Sequence, residues 1–167
     1  MWHEHKERAL HEGLITAIAV GGFLIILGLV AVSVPNILDK INNFFGDLTT
    51  RSSPFASGTI QLPIPAHLHN HSAVFHAALN FAIGIAILQA IILPLRLVYK
   101  STLRRIAETV GNLIFWVGAA IVANVFLLSF TSNGWFQYWA SLIILAGVSL
   151  IAQGIVHLTA SFGHHSK

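Results

Sequence analysis

The chain contains no cysteine. That absence removes disulfides, thiolate metal sites and thiol-based redox or nucleophilic chemistry together. Acids are nearly as scarce. The six present, Glu4, Glu7, Glu12, Asp39, Asp47 and Glu108, all lie at or beyond the ends of long apolar runs. Ion-coupled transport usually relies on a carboxylate inside the membrane, which argues against a proton- or sodium-coupled carrier. HExxH is also missing, and no acid lies within fifteen residues upstream of the histidine stretch described below. Hydrolytic or oxygenase chemistry at a bound metal therefore has no support.

What the sequence has in abundance is hydrocarbon. Of 167 residues, 55% are hydrophobic and 9% charged, with a mean hydropathy of +0.75; soluble domains carry about 25% charged residues. About 20 consecutive apolar residues cross a bilayer core. Four runs reach that length: Gly13 to Val34, about Ala73 to Val98, Gly111 to Phe130, and roughly Tyr138 to Leu158. The fold class expected is an all-α integral membrane protein, one domain of four transmembrane helices over 1–167. The first run is about twice as long as a signal-peptide core and reads as a retained anchor.

Short loops rich in Lys and Arg stay on the cytoplasmic side. Lys6, Arg8, Arg96, Lys100, Arg104, Arg105 and Lys167 fall on the side of both termini and the second loop; Lys40 and Arg51 fall on the other. Both termini are therefore expected in the cytoplasm of a cell-membrane protein. The basic flanks meet anionic lipid, and no basic surface remains for nucleic acid. Trp135, Tyr138 and Trp139 mark the outer boundary, Trp2 and Tyr99 the inner one. TSNGWFQ, between the third and fourth runs, reads as a turn joining an antiparallel helical hairpin.

The outer loop, 35–72, is the long connection. Its first part, PNILDKINNFFGDL, places Ile37, Leu38, Ile41, Phe44, Phe45 and Leu48 on one helical face and polar residues on the other, as in an interfacial helix. The proline-containing stretch that follows reads as extended and irregular. It ends in HLHNHSAVFH, four histidines in ten positions. His67, His69 and His71 share one side of an extended chain, and His76 lies a helical turn below, after an N-cap at Ser72. Neutral imidazoles in that pattern suit copper or zinc. His76 and His157 differ too much in depth to ligate one haem. Asn70-His71-Ser72 matches a glycosylation acceptor.

Inside the runs the strongly polar side chains are amides, chiefly Asn80, Gln89, Asn124 and Gln153. Amides of this kind commonly hydrogen-bond between helices. Small residues recur at helix-packing intervals: Gly13, Ala17, Gly21 and Gly28 in the first run, Ala119 and Ala123 in the third. With Ile41, Phe44 and Phe45 of the amphipathic helix they form the expected interfaces. Arg104 and Glu108 are spaced for an i,i+4 pair. The function these features favour is non-enzymatic: a structural or accessory subunit of a homo-oligomer or larger membrane complex. A copper- or zinc-binding protein and an oligomeric pore are the alternatives.

Overall fold

The computed structural model describes residues 2–53 and 61–162. Lys167 and the middle of the long loop lie outside the described residues. The element order is α1 (Trp2–Ser33), α2 (Ile37–Gly46), β1 (Leu48–Ser52), β2 (Gln61–Pro65), a 3₁₀ turn (Leu68–His71), α3 (Ser72–Val98), α4 (Leu103–Val125), a second 3₁₀ turn (Leu127–Ser129) and α5 (Ser132–Phe162). Four helical stretches, Leu10–Ser33, Leu68–Val98, Leu103–Ser129 and Ser132–Leu158, are long and apolar enough to cross a membrane. The cap formed by α2, the two strands and the first turn sits at one end of them, here called the cap face.

Helix boundaries depart from expectation where local hydrogen bonds decide them. Ser72 does not cap α3. It is the first helical residue, because the 3₁₀ turn runs straight into the helix and the Ser72 N–H donates to the His69 carbonyl. The Ser-Asn-Gly of the third connection is not a turn either. Thr131 acts as N-cap: its Oγ1 accepts from Gly134 N at 3.0 Å and its carbonyl accepts from Trp135 N at 3.0 Å. Helix α5 therefore starts at Ser132, and the reversal tightens to Phe130 and Thr131, with Phe130 at φ 52°.

The stretch after α2, expected to be irregular, is a paired hairpin. Strands β1 and β2 run antiparallel, with Leu48 opposite Pro65 and Ser52 opposite Gln61. A two-stranded sheet leaves each strand an unpaired side, and this is where prolines such as Pro63 and Pro65 are tolerated. The hairpin is fastened to α5 at two points. Trp135 Nε1 donates to the Pro63 carbonyl at 2.9 Å, and Arg51 Nη1 donates to Ser132 Oγ at 3.2 Å.

The long helices form a row. Helix α1 packs on α3, α3 on α4 and α4 on α5, and neither end helix has a second principal partner among the long helices. Lipid offers no hydrophobic drive between helices, so close approach relies on small residues. Gly22 lies under Leu88 and Gly84 under Ile26, which sets the α1–α3 crossing; Gly118 lies under Leu145 and Gly111 under Gln153 between α4 and α5. Two buried clusters result. One, at the cap, joins Ile64, Phe75, Ala123, Leu127, Trp135 and Phe136; the other joins Ile15, Leu88 and Ile92.

At the face opposite the cap, charged groups tie the helix ends together. Arg104 Nε donates to Glu108 Oε1 at 2.9 Å, the pair expected from the spacing. Arg96 Nη1 donates to the Arg105 carbonyl, and Arg105 Nε stands 3.9 Å from Glu12 Oε2. The His11 and Tyr99 rings lie tilted against each other, centroids 4.6 Å apart. These contacts join α1, α3 and α4 where the apolar rows end.

Candidate functional site

The densest polar arrangement is built on Asp47. This residue is the C-cap of α2. A carboxylate there faces the negative end of the helix dipole and is unfavourable unless compensated. Compensation comes from the histidine stretch. His67 N donates to Oδ2 at 2.8 Å, His67 Nδ1 reaches Oδ1 at 2.9 Å, and His71 Nε2 reaches Oδ2 at 2.9 Å. The Asp47 carbonyl also accepts from Ala66 N at 2.9 Å.

A carboxylate only accepts, so the ring nitrogens facing it carry hydrogens. The hydrogen bonds from the His67 ring and backbone, then from His71, hold the Asp47 carboxyl well below its ordinary value of 3.8, outweighing the opposing effect of burial. The ring of His71 is buried, while that of His67 is largely exposed. Beneath them Phe44 packs edge-on against His71 at 5.3 Å and against Phe75 at 6.0 Å. The arrangement latches the end of α2 to the start of α3. A cavity of about 310 Å³ opens beside it, lined by Lys40, Asn43, Asp47, Asn70, His71, Ala73 and Val74.

Of the four expected metal ligands, the structure joins His67 and His71 through Asp47 and leaves the other two elsewhere. His69 lies against Phe130, ring centroids 5.1 Å apart, and His76 is exposed on α3. Among the described residues no three His, Asp or Glu side chains converge as a metal set. The four-histidine copper or zinc site is therefore not assembled. The extended geometry it required is replaced by a 3₁₀ turn, which swings alternate side chains apart. Asp47, the residue that organises the site, escaped the sequence reading because it is twenty positions from His67. Its only sequence signal is an acid where α2 should end.

The other expected residues divide by what covers them. Ala119 and Ala123 are buried inside the chain's own row of helices, which leaves neither for a partner. Gly13, Gly21 and Gly28 have open space where a Cβ would stand, and Ala17 is exposed. Phe44 and Ile41 of α2 are half-buried, whereas Phe45 is 63% exposed. Gln153 packs across Gly111, so this amide serves the α4–α5 contact. Gln89 is half-buried; Asn80 and Asn124 are exposed on the outside of α3 and α4. No family model, curated protein or solved structure matches the chain.

Proposed function

We propose that this chain is a non-catalytic, multi-pass subunit of a membrane assembly, formed with further copies of itself or with other membrane chains. The observation that carries the reading is the open row. Among the described residues α1 packs chiefly on α3, and the face bearing Gly13, Ala17, Gly21 and Gly28 is left largely open. Small residues on a lipid-facing helix surface allow another helix to approach closely. Asn80 and Asn124 add to this, since an outward amide at membrane depth can hydrogen-bond a helix of another chain.

The site on Asp47 agrees with a role without catalysis. Its carboxylate is engaged by three N–H groups and acts as a fastener. The chain sits in the cell membrane with both termini cytoplasmic. Arg96, Lys100, Arg104 and Arg105 cluster at the α3–α4 connection, opposite the cap, as the retention of positive loops requires.

Because the chain has no cysteine, single-cysteine variants test the reading without background. In native membranes, Gly21→Cys is expected to form an oxidised cross-link, to a second copy or to another chain, while Ala119→Cys stays unlinked. Equal failure of Gly13→Cys, Gly21→Cys and Gly28→Cys, with a strictly monomeric protein in mild detergent, would refute it.

A further inference from the structure

Between α2, the hairpin and α5 lies a second cavity of about 640 Å³. Its walls are Phe44 and Phe45 of α2, Leu48, Leu62 and Pro63 of the hairpin, and Trp135, Phe136, Trp139, Ala140 and Ile143 of α5. Among the described residues no acid or base lines it. From Trp135 to Ile143 the slot follows α5 for about 12 Å at 1.5 Å per residue. It therefore runs along the helix axis, starting at the level where tryptophans mark the membrane boundary.

The apolar lining along α5 suits a hydrocarbon chain. Charge supports the same occupant. Arg51 stands directly opposite Leu62 in the hairpin, so their side chains share a face. Its guanidinium is exposed and is held by Ser132 Oγ, one helical turn above Trp135. The top of an apolar slot thus carries a cation at headgroup height.

We propose that the slot binds one acyl chain of a phospholipid from the cap-side leaflet, with the lipid phosphate at Arg51. The cap then has two roles: it latches the end of α2 to the start of α3, and it holds a lipid against α5 where a neighbouring chain would meet it. This inference does not depend on which partner the chain has.

Two of the four tryptophans, Trp135 and Trp139, line the slot and serve as reporters. In a Trp2→Phe, Trp116→Phe background, phosphatidylglycerol brominated on its acyl chains is titrated into the protein in lipid-poor detergent micelles. Saturable quenching at about one lipid per chain is expected. Ala140→Phe, which fills the slot, should weaken it at least tenfold, and Arg51→Gln about fivefold, the effect of removing one cation near a headgroup. If Ala140→Phe does not fold, Phe45→Ala removes an exposed wall residue and should also weaken binding. Quenching that never saturates, or that is the same in the slot variants, would overturn the proposal. So would a Leu62→Cys dimer whose yield added lipid does not lower, since a second copy would then occupy the slot.

Discussion

At the scale of single residues, the histidines illustrate what the chain order conceals. His67, His69, His71 and His76 stand out in the sequence because they are close together, yet closeness along the chain did not bring them to one point. Their partner is Asp47, which α2 and the hairpin return to them. Nothing local in HLHNHSAVFH names that acid. The depressed pKa of Asp47 sets the sign of an acid effect. Its latch is fully present above the ordinary carboxylate value of 3.8 and is lost as pH falls through that value toward the lower folded one. Trp135 emission in micelles should thus be constant from pH 7 to pH 5 and change only in stronger acid. Asp47→Asn should lower Tm at pH 7 and remove that acid step. An unchanged acid step in the variant would place its origin elsewhere.

At the scale of elements, apolar periodicity was sufficient for helices and insufficient for their ends. The four long helices and the amphipathic α2 follow from hydropathy and from the spacing of Ile37, Ile41 and Phe44. The hairpin was not legible, because prolines in a short polar stretch argue for a loop unless the strand is known to have a free edge. Thr131 was equally hidden: a threonine before Ser-Asn-Gly fits a turn as well as a cap, and the two differ only in which N–H the hydroxyl meets. Thr131→Ala should cost about 1 kcal/mol, the usual loss for an N-cap, and should loosen the first turn of α5. Because Trp135 and Ser132 hold the hairpin from that turn, amide exchange should quicken in β1 and β2 as well as at Gly134. Faster exchange confined to residues 131–135 would show that the hairpin is fastened independently.

At the scale of the whole molecule, two neighbouring glycines have different surroundings, and this separates what holds the chain together from what joins it to others. Gly22 meets Leu88 of α3, whereas Gly21 meets nothing within 4 Å. The sequence shows both as small residues in one apolar run and cannot tell which faces inward, since every side of α1 is apolar. The row supplies the distinction, because α1 meets it chiefly through the side that packs on α3. A valine at Gly22 must push Leu88 aside in a packed contact, and overpacking of that kind costs about 1–3 kcal/mol. Gly22→Val should therefore lower Tm in detergent and loosen α1 from α3. Gly21→Val, one residue away, should leave the stability of the isolated chain within about 0.5 kcal/mol of the wild type, as an uncovered site does. It should nevertheless reduce oligomer or partner recovery from membranes, because the added methyl groups stand where another helix would approach. If both variants lose stability alike, the α1 face is not free and the open row closes within the chain. If Gly21→Val changes neither stability nor recovery, assembly uses another surface, and the outward amides Asn80 and Asn124 become the positions to substitute next.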